Sequence, residues 1–111
     1  MNATVVEESG QTLVALSDDI VTENVEEFKQ LMDAVLERRP GVPVVLDLGQ
    51  IDYLCSAGVG IIAGAHRILK ANQTELIVKD PSERVSRLFM VTRLDTVLRV
   101  IGTPRPKIAP R

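Results

Sequence analysis

Tryptophan is absent from this chain, and the aromatic residues stop at Phe28, Tyr53 and Phe89. A core must therefore be assembled from Val, Ile, Leu, Met and Ala. Cysteine occurs once, at Cys55, and histidine once, at His66. A single thiol excludes an intramolecular disulfide framework, and one Cys with one His gives no metal-ligand cluster. No stretch approaches the ~18 consecutive apolar residues of a membrane-spanning helix. The first residues, MNATVVEESG, lack a basic region followed by a long apolar run. That argues against a signal peptide and points to the cytoplasm. Clustered cations are lacking as well. Thirteen basic and fifteen acidic side chains leave −2 overall, and residues 1–101 hold only ten of the basic ones. A mildly acidic body does not suit a phosphate backbone, so no nucleic acid is expected as a partner.

What is present fits one small folded domain. A length of 111 residues, 45% of them hydrophobic and 25% charged, suffices for an independent core. Thr4–Glu8 and Thr12–Leu16 are β-branched-rich runs joined at Ser9-Gly10, and they read as an antiparallel hairpin. A helix follows from about Thr22 to Glu37, with Val25, Phe28, Leu31, Met32, Val35 and Leu36 repeating at three and four. Thr22 suits its N-cap, Glu23, Glu26 and Glu27 suit the positive end of its dipole, and Arg38 and Arg39 suit the other. Pro40-Gly41 stops it. Val44–Leu48 is a continuous apolar run, as expected of a strand buried on both faces. A second helix runs from near Ser56 to about Ala71, with Ile61, Ile62, Ala65, Ile68 and Leu69 along one face. Glu75–Val78 reads as a strand, and a third helix starts at Pro81 or Ser82, with Val85, Leu88, Phe89 and Thr92 along one side. Val97–Ile101 is a last short strand. The order β-β-α-β-α-β-α-β predicts an α/β fold: a mixed sheet of four to five strands packed against about three helices. The domain is expected over residues 1–101, and the Pro-rich, basic residues 102–111 are expected to be a tail.

The segment with most chemical information is Val44–Lys70. A buried strand and a loop lead into a helix whose first turn is crowded with small residues: Ser56, Ala57, Gly58 and Gly60. Serine is a favoured N-cap, and a helix N-terminus accepts anions. A phosphate on Ser56 would add about −1.5 to −2 charge to a surface otherwise suited to close packing. Read from the residues alone, Ser56 is either such a switch or a plain cap. Two catalytic readings fail. Gly58-Val59-Gly60-Ile61-Ile62-Ala63 has the loose outline of a dinucleotide fingerprint, but Gly49–Ala57 separates it from its strand. His66 lies ten residues beyond Ser56 on one helix, about 15 Å away, which is too far for a nucleophile and its base.

The run Leu46-Asp47-Leu48, then Ile51-Asp52-Tyr53-Leu54, then Cys55-Ser56-Ala57-Gly58-Val59-Gly60, resembles the signature of the STAS-domain anti-sigma factor antagonists. Val78–Leu94, with Pro81, Val85, Arg87-Leu88-Phe89 and Leu94, is similar to the third-helix region of that family. The resemblance covers residues 4–101. It implies a STAS-like fold and a binding protein without catalytic activity or cofactor. It further implies that Ser56 is the phosphorylation site. The unmodified form would bind an anti-sigma factor that doubles as a serine kinase, and so free a sigma factor. Phosphorylation would end binding and a phosphatase would restore it. The partner-binding face implied is Asp18, Asp19, Cys55, Ser56, Ala57, Gly58, Val59 and Gly60. A weak homodimer is a further expectation, and no membrane partner is. The chain departs from the family pattern at Cys55 and Val21, where aspartates are usual, and at Ala57, where a second hydroxyl is usual. Asp18 and Asp19 lie in the same loop as Val21. An unswitched STAS scaffold and a ligand- or nucleotide-binding STAS module are the alternatives.

Overall fold

The computed structural model describes residues 1–102. Strands β1 (Ala3–Glu8) and β2 (Gln11–Leu16) form the expected hairpin. Its two-residue turn works because Gly10 adopts φ +86°, a left-handed conformation that a side chain would oppose. Along β2 burial alternates, with Thr12, Val14 and Leu16 buried. Strand β3 (Val44–Asp47) does not alternate. Val44, Val45 and Leu46 are all buried, as the unbroken apolar run requires. Strands β4 (Leu76–Lys79) and β5 (Arg99–Ile101) complete a sheet of order β1-β2-β3-β4-β5. Only β1–β2 is antiparallel; the other three pairings are parallel.

The helices are α1 (Val25–Arg38), α2 (Ser56–Ala71) and α3 (Glu83–Val91), with a 3₁₀ turn at Leu94–Thr96. Strands that succeed one another across a sheet by right-handed crossovers carry all their helices on one face. The packing agrees. Phe28 and Met32 of α1, Ile62 and Leu69 of α2, and Val85 and Phe89 of α3 share one core with Val14, Leu16, Leu46 and Val78. Among the described residues no helix covers the opposite face, where Val45 is buried at the centre and its neighbours Leu13, Ala15 and Ile77 are half-buried. The expected α/β class and element order are therefore observed.

Three local expectations need correction. Helix α1 begins at Val25, and Asn24, not Thr22, precedes it. Asn24 is occupied in closing the turn before the helix: its Oδ1 accepts from the Val21 N–H at 2.9 Å, and its side-chain amide donates to the Asp19 carbonyl at 2.9 Å. Ile68 is 49% exposed; the buried stripe of α2 is Gly58, Val59, Ile62, Ala65 and Leu69. Thr92, expected along the packed side of α3, is exposed and returns its hydroxyl to the Leu88 carbonyl at 2.9 Å. Helix α3 starts as expected. The Ser82 hydroxyl caps it by accepting from the Val85 N–H at 3.1 Å. The expected tail lies, beyond Gly102, outside the described residues.

Candidate functional site

Parallel strands deliver their following loops to one end of the sheet. Here that end receives residues 17–24 after β2 and residues 48–55 after β3. The two loops are joined by a parallel bridge between Ile20 and Leu54. The Ile20 N–H donates to the Tyr53 carbonyl at 3.1 Å, and the Cys55 N–H donates to the Ile20 carbonyl at 2.9 Å. Asp19 reinforces the joint. Its Oδ1 accepts from the Asp52 N–H at 2.8 Å and the Tyr53 N–H at 3.3 Å. Beneath the backbone, Ile20, Ile51 and Leu54 are buried in the core. The joint is thus anchored by apolar burial and closed by hydrogen bonds on both sides.

Helix α2 starts against this joint. A Cβ placed on Gly58 would lie 2.9 Å from Cγ2 of Ile20 and 3.6 Å from Cδ1 of Leu54. Only a glycine lets the first turn sit so close. Gly60 is different: a Cβ there would meet nothing within 4 Å. The two glycines that look alike in the sequence do different things.

Ser56 is the first helical residue of α2, and Cys55 occupies the N-cap position with φ −73° and ψ 165°. No side chain caps this helix, and its first turn carries no acidic residue. The plain-cap reading of Ser56 is therefore not realised. Its side chain is exposed, and among the described residues its hydroxyl makes no hydrogen bond. The first helical N–H groups thus receive no side-chain cap at the positive end of the dipole.

The remaining expected residues divide. Ser56, Ala57 and Gly60 are exposed and Cys55 is half-buried, whereas Gly58 and Val59 point inward and support the turn. Asp19 is committed to the 52–53 backbone. Asp18 accepts the Asn2 N–H at 2.8 Å. Val21 is half-buried, with its N–H held by Asn24.

Two hollows flank the exposed end of α2. One, of about 330 Å³, is lined by Asp52, Tyr53, Leu54, Arg84, Val85 and Leu88. Arg84 approaches Asp52 across it at 3.7 Å. The other, of about 340 Å³, runs between α1 and α2, floored by Ala57, Gly60 and Gly64 and walled by Lys29, Asp33, Ile61 and Ile68. Lys29 and Asp33 pair at 2.9 Å, and the carboxylate holds the ammonium above its usual pKa. The sequence reading missed Tyr53, Arg84 and the α1 wall. The only early signal was the three- and four-residue spacing of Ala57, Gly60 and Gly64. Among the described residues no cluster of His, Cys, Asp or Glu could hold a metal ion, and no helix is long and apolar enough to cross a membrane.

Comparison with known proteins places this architecture. The family model described as "Mlab, STAS domain" matches residues 3–101. An anti-sigma-B factor antagonist of Listeria monocytogenes is 32% identical over 66 residues, which cover 60% of this chain and 58% of that relative. The match therefore spans less than two thirds of the relative's length. An anti-sigma factor antagonist from Mycobacterium paratuberculosis has the same fold, with TM-score 0.82 at 24% identity over 92% of this chain and 86% of that one. So has the Bacillus cell fate determinant SpoIIAA in its phosphorylated form, with TM-score 0.70 at 16% identity over 91% and 92% of the two chains. A match over nearly all the described residues, on a fold of the same element order, leaves one conclusion: the chain belongs to the STAS domain family.

Proposed function

We propose that this chain is an anti-sigma factor antagonist whose docking face is centred on the start of α2, and that phosphorylation of Ser56 switches docking off. The observation that carries the reading is the state of Ser56. It is an exposed hydroxyl on the first residue of a helix with no side-chain cap and no acidic neighbour in the first turn. A kinase can reach it, and the helix end can accept the phosphate. The names of the curated relatives and the phosphorylated state of a fold neighbour support the same reading.

In this scheme the partner is an anti-sigma factor that is also a serine kinase, a phosphatase reverses the mark, and the reaction takes place in the cytoplasm. Ser56 is a substrate and not a nucleophile. The small residues Ala57 and Gly60 let the partner approach closely, and Cys55, the only thiol, sits at the rim. A phosphate of nearly two negative charges in such a close contact opposes docking through desolvation and repulsion. Asp19 contributes by holding the 52–53 backbone, and Asp18 by holding the N-terminal strand.

The test is retention of an anti-sigma-type kinase from native-host lysate by wild type, Ser56→Ala and Ser56→Asp. Wild type and Ser56→Ala are expected to hold it. Ser56→Asp is expected to weaken binding at least 100-fold, about 2.8 kcal/mol. Equal retention by all three would leave an unswitched scaffold. A melting shift on adding nucleotide, with no kinase retained, would point to a ligand-binding module.

A further inference from the structure

Among the described residues the sheet has two free edges, and they are not alike. Strand β5 is three residues long and carries Arg99, which pairs with Glu75. Strand β1 is six residues long, contains no proline, lysine or arginine, and is exposed from Thr4 onward. Val5 is 43% and Val6 is 41% exposed, one on each face of the sheet. Edge strands are normally blunted by shortness, bulges, proline or inward charges. Strand β1 is neither short, bulged nor proline-bearing; its one inward-facing charge, Glu7, is neutralised by Arg38 of α1, and its register with β2 is unbroken from Ala3↔Leu16 to Glu8↔Gln11.

The register also says which backbone groups are free. In an antiparallel pair, bonded and non-bonded residue pairs alternate. The Ser17 N–H donates to the Asn2 carbonyl at 2.9 Å, so the bonded pairs are those of Asn2, Thr4, Val6 and Glu8. The Thr12 N–H donates instead to the Pro43 carbonyl on the far side of β2 at 3.0 Å, which agrees. The N–H and C=O groups of Ala3, Val5 and Glu7 therefore face the open edge. Beside them, on the helix face, lies a hollow of about 150 Å³ lined by Val5, Glu7, Leu31, Ala34, Val35 and Arg38.

We infer that β1 is a self-association edge, and that its occupant is β1 of a second copy, antiparallel, about a two-fold axis at Val5. The pattern of free groups is its own complement. Pairing Val5 with Val5 and Ala3 with Glu7 of the other copy uses every outward N–H and C=O of Ala3, Val5 and Glu7. A two-fold axis at Thr4 or at Val6 would leave some of them unpaired. Charge selects the same arrangement. Parallel pairing would stack Glu7 on Glu7 and Glu8 on Glu8, whereas this register sets Glu7 against Ala3 and Glu8 against Asn2. Thr4 and Val6 meet on the open face, and the two Val5 side chains meet beside the hollows. The contact is isologous and closes at two chains. A joint of one strand pair lies at the small end of specific interfaces, below ~1,200 Å², so the dimer is weak and concentration-dependent.

Sedimentation velocity over a concentration series tests this. Wild type is expected to shift from monomer to dimer as concentration rises. Val5→Lys and Val5→Glu each set like charges across the axis, and each is expected to stay monomeric over that range. An equimolar mixture of the two is expected to dimerise again, at least as strongly as wild type. Because the mixture restores association, misfolding of either variant cannot imitate the result. A wild type that stays monomeric at every concentration overturns the inference. So does a Val5→Lys protein that dimerises like wild type, or a mixture that stays monomeric.

Discussion

Gly58 and Gly60 stand two residues apart in the same helical turn and carry opposite consequences for substitution. At Gly58 a methyl group would overlap Ile20, whose side chain is fully buried and cannot retreat. Gly58→Ala is therefore expected to lose about 1 kcal/mol or more, even after the gain in helix propensity. At Gly60 the methyl would enter open space. Gly60→Ala is expected to gain roughly 0.5–1 kcal/mol, because alanine loses less backbone freedom on folding. Urea unfolding of the two variants checks both signs at once. A loss at Gly60, or a gain at Gly58, would mean that the helix start is not wedged against Ile20. Ser56 owes its exposure to the same wedge, since the turn that carries it is fixed from behind by Gly58 and Val59.

At the scale of elements, the joint between the loops after β2 and β3 decides where α2 begins. Its polar clasp is Asp19, whose carboxylate holds the Asp52 and Tyr53 N–H groups. Asp19→Ala should speed hydrogen exchange at those two amides and cost about 1 kcal/mol, and Asp19→Asn, which keeps an acceptor, should restore most of the protection. Unchanged exchange in Asp19→Ala would assign the joint to apolar packing alone. Of this arrangement the sequence disclosed the elements and their order, because periodicity in Phe28–Leu36 and the unbroken run at Val44 leave little choice. It did not disclose the joint. Asp19 sits among residues that read as an ordinary loop, and nothing in the local pattern says that its oxygen will meet a backbone on the far side of α1. Ile68 misled for a related reason. Its spacing suits the buried stripe, but the stripe is set by where α1 and the sheet lie, and α1 leaves a groove at that point. Thr22 failed as a cap because Asn24, with an amide that can both donate and accept, closes the turn better.

At the scale of the whole molecule, stability carries a pH signature from His66. Burial holds its imidazole pKa below the ordinary 6.5, and Lys70 adds to the effect while Glu75 opposes it. Its Nδ1 is buried and, among the described residues, has no hydrogen-bond partner. The unfolded chain therefore takes up a proton before the folded one does. Stability is full above the ordinary imidazole value and falls as pH drops from there towards the depressed folded value. The urea midpoint should decline as pH falls from neutral through the ordinary imidazole value, and the decline should be shallower in His66→Gln. Equal slopes in the two proteins would remove His66 as the cause. The contact between Gly58 and Ile20 reaches further than the energy it governs. The two positions share a single free volume, although a helix and a strand separate them in the chain. Neither can drift alone: a larger residue at one requires a smaller one at the other. Among descendants of this sequence the two sites should therefore vary as one unit, and the surface they hold up, Ser56 included, inherits the constraint without taking part in the contact.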